Sequence, residues 1–168
     1  MADVVWAPWR MTYILSDKPT GCIFCEKPRA QDDAQSLILW RGQTAFVMMN
    51  RYPYNNGHLM VVPHAHAASL TDMGPAQRAE LGELTMCCEQ VLRQVMRPDG
   101  FNIGLNLGSA AGAGIAEHLH VHVVPRWDGD TNYMTVVGEV RVIPQHLADT
   151  YALLLPYFQA LRQEAHPS

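Results

Sequence analysis

His118, His120 and His122 alternate with Leu119 and Val121, and Val123-Val124-Pro125-Arg126 follows. Strict alternation over an apolar background predicts a β-strand whose successive side chains point to opposite faces. The three imidazoles then share one face, about 6.6–7 Å apart along the strand. Leu119, Val121 and Val123 share the other face, which is predicted to be buried, leaving the histidines on an exposed or cavity-facing side. Three of the chain's eight histidines within five residues call for a chemical reason. Imidazole is neutral and nucleophilic near pH 7, so one of the row can attack phosphorus while its neighbours carry protons. A His-x-His pair on a strand can instead ligate zinc.

A second cluster of reactive residue types is Cys22-Ile23-Phe24-Cys25. Two thiolates supply half of a tetrahedral zinc site and need two more ligands. A metal-free reduced pair is the alternative, and a redox pair would lack its usual βαβ setting. Cys87 and Cys88 are adjacent on a predicted helix, where packing is the simpler use of a thiol. The run Gly108-Ser109-Ala110-Ala111-Gly112-Ala113-Gly114 can turn backbone N–H groups inward around an anion, or can merely connect two strands. No Gly-Lys-Ser/Thr follows it, so it is not a P-loop.

The elements that must hold these residues are legible from periodicity. Leu37–Trp40 and Thr44–Met49 read as strands about an Arg41-Gly42-Gln43 turn. Tyr52 to Gly57 is a turn cluster, and His58–Val62 is a strand ended by Pro63. Phe101–Leu107 and His118–Pro125 complete five strands. Leu81, Leu84, Cys88, Val91, Leu92 and Val95 recur at helical spacing, predicting a long helix over Pro75–Arg97 with Pro75 in its first turn and Pro98-Asp99-Gly100 as its stop. A last helix is predicted around His146–Arg162, kinked at Pro156. Residues 1–20, with Trp6, Pro8, Trp9 and Pro19, read as an irregular arm with a short helix, and residues 26–35 as a polar loop. Strands, then helix, then strands imply an α+β fold on a mostly antiparallel sheet.

The chain has 168 residues, 48% of them hydrophobic and 17% charged, which describes one globular domain rather than a disordered chain. Its net charge of −4 argues against a general nucleic-acid partner, so an anionic ligand must be held by local groups. No apolar run approaches the roughly 20 residues that span a bilayer, and no signal-peptide pattern opens the chain. These features predict a cytoplasmic protein without a membrane partner.

His118-Leu119-His120-Val121-His122-Val123-Val124 resembles, at every position, the His-φ-His-φ-His-φ-φ motif of the histidine triad (HIT) family, φ being apolar. Asn50 through Pro63, with Gly57 and His58, is similar to that family's ribose-contacting strand pair, and Asn106-Leu107-Gly108 to the segment before its phosphate loop. The resemblance covers roughly residues 22–127, leaving 1–20 as an arm and 128–168 as a C-terminal extension of one domain. Trp6-Ala7-Pro8-Trp9-Arg10, the Ala111–Ile115 stretch and Trp127 look closest to the bacterial diadenosine tetraphosphate phosphorylase and fragile-histidine-triad-like branch.

That resemblance implies a HIT-like fold and a nucleotidyl hydrolase or transferase acting on dinucleoside polyphosphates, with phosphate or water as acceptor. It implies His120 as nucleophile, with His122 and His58 around the phosphates. Asn50 would contact the ribose hydroxyls, and Asn106, Gly112 and Gly114 the phosphates; Phe24, Met48 and Leu59 could line a base pocket, though apolar residues at such positions are equally expected in a core. Related zinc-bearing members complete the site with residues matching His66 and His118, giving a structural zinc on Cys22, Cys25, His66 and His118. A homodimer is the family's usual assembly. The hydrolases of the family place Gln and Ser or Thr ahead of the triad, where this chain has Gly114 and Ile115, which tilts away from an adenosine phosphoramidase. Phosphorylases often carry Gln in place of the last histidine, whereas His122 is retained. A non-enzymatic nucleotide-binding signalling role is the alternative from another class.

Overall fold

The computed structural model describes residues 21–130 and 145–165. The predicted arm over 1–20, and residues 131–144 and 166–168 of the C-terminal extension, lie outside them. Where a polar loop was expected, the chain forms two short helices, α1 (Ile23–Arg29) and α2 (Asp33–Ser36). Asp32 caps α2 by accepting the Gln35 N–H at 3.0 Å, satisfying a donor that the first turn leaves unpaired. A helix of four residues is too short to show a hydrophobic period, which is why it reads as loop.

Leu37 closes α2 in the left-handed region at φ 60° and turns the chain into β1 (Ile38–Arg41). β2 (Ala45–Met49), β3 (Leu59–Pro63), β4 (Gly100–Leu105) and β5 (Val121–Arg126) follow. They form a five-stranded sheet in the order β1-β2-β3-β5-β4, and every neighbouring pair is antiparallel. The mixed α+β architecture matches the reading from sequence. Strand ends shift by a residue or two, with one larger difference: β5 begins at Val121, so His118 and His120 stand just ahead of the hydrogen-bonded ladder. There the Leu119 N–H donates to the Ala67 carbonyl at 2.7 Å instead.

The sheet is covered on both faces, which explains the unbroken apolar runs of β2 and β3. On the larger side, Val47, Met49, Leu59, Val61, Leu119, Val121 and Val123 pack against α3 (Pro75–Met96) and α4 (Leu147–Ala165). Leu81, Leu84, Cys88, Val91 and Leu92 are the buried residues of α3, the stripe expected from spacing. Cys88 is core, and α4 runs through Pro156 as one helix. The smaller side joins Phe46, Met48, Met60 and Val62 to Ile38 and to Phe24 of α1. Gly57 enters β3 at φ 77°, where a Cβ would lie 2.5 Å from the Met96 sulfur. The left-handed backbone angle favours glycine, and a Cβ would also have to push the Met96 side chain aside.

One carboxylate ties the β1–β2 turn to α3. Glu80 accepts from the N–H groups of Gln43 and Thr44 at 2.7 and 2.5 Å, and from the Thr44 hydroxyl. Burial alone would raise its pKa. The Thr44 hydroxyl and the N–H groups of Gln43, Thr44 and Ala45 outweigh that and hold it below the usual 4.5. A carboxyl depressed in the folded state contributes stability at neutral pH that is lost as pH falls through its folded value. Glu80→Gln should therefore cost about 0.5–1 kcal/mol at pH 7, a small figure because the group is largely solvated. Urea unfolding should show the difference between native and variant shrinking below pH 4.5.

Candidate active site

The imidazole row faces the smaller side of the sheet, and it is buried rather than exposed. His118 and His120 are 0% and 6% accessible, and His122 is half-buried. α1 makes the difference. Its Phe24 ring lies 5.5 Å from that of His118 and 4.8 Å from that of His120. His120 and His122 meet edge to face at 4.7 Å. His122 is registered opposite Met60 of β3, which assigns it to the same side as Met48 and Phe24.

Backbone partners set the proton positions on the rings. His120 Nδ1 lies 3.0 Å from the His118 carbonyl, which can only accept, so Nδ1 carries the proton and Nε2 the lone pair. His118 is the mirror case. Its Nε2 donates to the Pro63 carbonyl at 2.9 Å, leaving the Nδ1 lone pair turned toward Cys22 and Cys25 at 3.2 and 3.6 Å. Burial pushes the pKa of both rings below the ordinary imidazole value, opposed in each case by the hydrogen bond to a backbone carbonyl. Both are thus held neutral at physiological pH. For His120 that is the nucleophilic form.

His58 is 1% accessible. Its Nε2 lies 2.9 Å from His122 Nδ1. Its Nδ1 accepts the Tyr54 N–H at 3.1 Å and faces the Asn50 amide nitrogen at 3.4 Å. The Asn50 amide oxygen accepts the Tyr52 N–H at 2.9 Å. That orients the amide and leaves each of its ends capacity for one further bond, as a ribose contact would require. Tyr54, which the sequence reading treated only as a turn residue, packs its ring at a tilt against His58 and His122, with centroids 4.7 and 5.6 Å apart.

Three residues expected at a base pocket separate. Phe24 and Met48 lie on the histidine side but are 2% exposed, so a base would meet only their edges. Leu59 points to the opposite face, into the core beneath α3, because it is one residue out of step with Met60. Asn106, Gly112 and Gly114 lie on the segment between β4 and His118, where both glycines are exposed. Gly108 and Gly112 adopt φ of 77° and 80°, but the loop is not an open nest. The N–H groups of Ala111, Gly112 and Ala113 turn back on the carbonyls of Gly108 and Ser109. Ile115, where family hydrolases carry a hydroxyl, packs against the Phe24 cluster.

Cys22, Cys25, His66 and His118 converge, with one ligand atom of each within 4.8 Å of all the others. Cys25 and His66 Nδ1 are 3.4 Å apart. Bond lengths of about 2.3 Å to sulfur and 2.0–2.1 Å to nitrogen put the edges of a tetrahedral zinc site near 3.3–3.8 Å, so these four can close on such an ion with small adjustments. Burial and then the adjacent Cys22 push the Cys25 thiol up. A cation would reverse that by stabilising the thiolates.

Comparisons with known proteins agree with this geometry. The chain is 45% identical over 159 residues to the AP-4-A phosphorylase of Mycobacterium tuberculosis, covering 89% of this chain and 81% of that protein. It is 30% identical to the asymmetrical bis(5'-nucleosyl)-tetraphosphatase of Schizosaccharomyces pombe, over 69% of this chain and 64% of that one. A zinc-bound histidine triad family protein from Mycobacterium smegmatis superposes with a TM-score of 0.68 at 26% identity, covering 86% of this chain and 97% of the other. The HIT domain family model matches residues 31–129, a span that runs from the α1–α2 turn through β5 and takes in every triad histidine. On that match, the chain belongs to the HIT domain family.

Proposed function

We propose that this protein is a nucleotide phosphorylase that cleaves dinucleoside polyphosphates, such as diadenosine tetraphosphate, through a nucleotidyl-histidine intermediate. The observation that carries the reading is the tautomer of His120: a neutral imidazole, proton committed to a backbone carbonyl, with its Nε2 lone pair available. The name of the 45%-identical relative supports the substrate class and the acceptor.

In the first step the Nε2 lone pair of His120 forms a bond to the α-phosphorus. The bond from that phosphorus to the bridging oxygen breaks, and its electron pair leaves on ATP. Because Nδ1 keeps its proton, the nucleotidyl-imidazole is cationic and a good leaving group. In the second step an oxygen of inorganic phosphate attacks, the P–N bond breaks, and its electrons return to Nε2, releasing ADP. His122 donates a hydrogen bond to the oxygens on which charge grows. Asn50 holds the ribose, the edges of Phe24 and Met48 meet the base, and the segment carrying Asn106, Gly112 and Gly114 borders the phosphates. Water as acceptor is the second reading, favoured by the S. pombe relative.

Cys22, Cys25, His66 and His118 hold one zinc ion in this proposal. The metal supplies folding energy and fixes the backbone ahead of β5, not chemistry at phosphorus. The zinc-bound structural relative supports that choice of ion. A homodimer fits the exposed edge strand β4, where Ile103 and the following Leu107 are 44% and 42% accessible. Reduced thiols and a nucleotide substrate fit a cytoplasmic location. Among the described residues, no helix is long and apolar enough to cross a membrane.

Three outcomes are expected. His120→Ala should lose turnover by several orders of magnitude while nucleotide binding by calorimetry persists, and imidazole should partly restore His120→Gly; near-normal turnover in the alanine variant would exclude the covalent route. With diadenosine tetraphosphate and phosphate, chromatography should show ADP and ATP in equal amounts. AMP formed at one rate with or without phosphate, and no ADP, would identify a hydrolase. Elemental analysis should find one zinc per chain, and Cys22→Ser should lower the melting temperature more than it lowers activity.

A further inference from the structure

One corner of the molecule holds two cations side by side. α1 and α2 are joined there by the Ser36 hydroxyl, which donates to the Lys27 carbonyl at 3.4 Å. From the other side the Arg51 guanidinium donates to the carbonyl of Gln35, the residue before Ser36, at 2.9 Å. Lys27 and Arg51 are thus brought to the same end of α2 from two different elements. Lys27 is half-buried and Arg51 is exposed. Arg41, Arg93 and Arg126 each meet a carboxylate; among the described residues, neither Lys27 nor Arg51 does. Burial first, and then the positive charge of Arg51, holds the Lys27 ammonium below its ordinary value. In a chain of net charge −4, two adjacent like charges with no carboxylate between them cost stability and call for an anion from outside.

This corner borders the proposed nucleotide site on two sides. Lys27 stands about one helical turn beyond Phe24, whose ring lies 4.8 Å from that of His120. Arg51 directly follows Asn50, whose amide is already oriented by the Tyr52 N–H. We infer that Lys27 and Arg51 form a subsite for a phosphate group carried on the 2′ or 3′ oxygen of the bound nucleotide's ribose. This rests on the ribose role given to Asn50 in the proposed reaction.

A phosphomonoester carries nearly two negative charges at neutral pH, which two cations balance. Arginine offers phosphate a planar fork of donors, and lysine a point charge on a flexible stem. The Gln35 carbonyl takes one guanidinium donor and holds the fork in place while the others face outward. Asn50 matters here because it is neutral. A carboxylate on the ribose hydroxyls would repel a phosphate at that position, whereas a carboxamide bonds one hydroxyl and tolerates charge on its neighbour. Dinucleotide sites separate a plain ribose from a 2′-phosphorylated one on the same principle, by an acidic residue in the first case and an arginine in the second. The substrate class is thereby widened to nucleotides whose ribose bears a phosphate in addition to the 5′ chain.

Calorimetric titration in dilute salt, where such contacts are least screened, tests this with adenosine 5′-monophosphate, adenosine 2′,5′-bisphosphate and adenosine 3′,5′-bisphosphate. The native protein should bind at least one bisphosphate about tenfold or more tightly than the monophosphate, the size of one charge-assisted hydrogen bond. The preferred isomer identifies the ribose oxygen. Lys27→Met and Arg51→Met should each lower that ratio, and the double variant should bring it within about twofold of one. Arg51→Lys, which keeps the charge but not the fork, should retain part of it. Bisphosphates bound no more tightly than the monophosphate, or an advantage that survives the double variant, overturn the inference. So does a pair that serves the 5′ chain, seen as a lost preference for ATP over the monophosphate with the bisphosphate ratio unchanged. No binding of the monophosphate at all would overturn the nucleotide site and this inference with it. Monophosphate binding without the bisphosphate gain overturns this inference alone.

Discussion

The His118 peptide carbonyl is the point on which the site turns. It takes the Nδ1 proton of His120 while the side chain of the same residue is bound at both ring nitrogens, to Pro63 on one side and the cysteine pair on the other. A carbonyl can orient an imidazole only if its own plane is fixed. Here the fixing is done by a buried ring and by the neighbouring Leu119 N–H on Ala67. The segment ahead of β5 has no ladder to hold it, so side-chain anchors take the place of strand pairing.

Two apolar layers around the sheet give these bonds their strength. Hydrogen bonds and lone pairs count for more where water is excluded, and the smaller layer built on Phe24 removes water from the histidine side. The larger layer under α3 and α4 makes the platform rigid. α4 is anchored by polar contacts that reach the turn before β3. The Thr150 hydroxyl donates to the Asn56 amide oxygen at 3.1 Å, and the Tyr151 hydroxyl to the Ile38 carbonyl at 3.0 Å. The turn carrying Tyr54 and His58 is thus supported from the far side of the molecule.

Alternation around His120 made the two faces of β5 legible before any coordinates, and the spacing of Leu81 through Leu92 did the same for α3. The burial of the histidine side was not legible. It depends on α1, seven residues with Pro28 inside, too short for a period to show. Leu59 and Met60 could not be told apart either, because a strand buried on both faces loses its alternation. Only the pairing of Met60 with His122 decides which one faces the site. The asparagines of the turn were readable as turn formers, but side-chain bonds such as Asn55 to Asp130 and Pro125 join residues too distant in sequence for spacing to predict.

β3 works as a ruler. His58, immediately before it, sets His122; Pro63, at its end, holds His118. Four residues, Leu59–Val62, separate the His58 ring from the Pro63 carbonyl, and each of the two meets one histidine on the neighbouring segment. Because strand geometry repeats every two residues, a single insertion or deletion within Leu59–Pro63 would turn one anchor to the opposite face while leaving the other in place. Length variation among descendants of this sequence should therefore be confined to the connections on either side of β3, and the interval between His58 and Pro63 should be inherited as a unit.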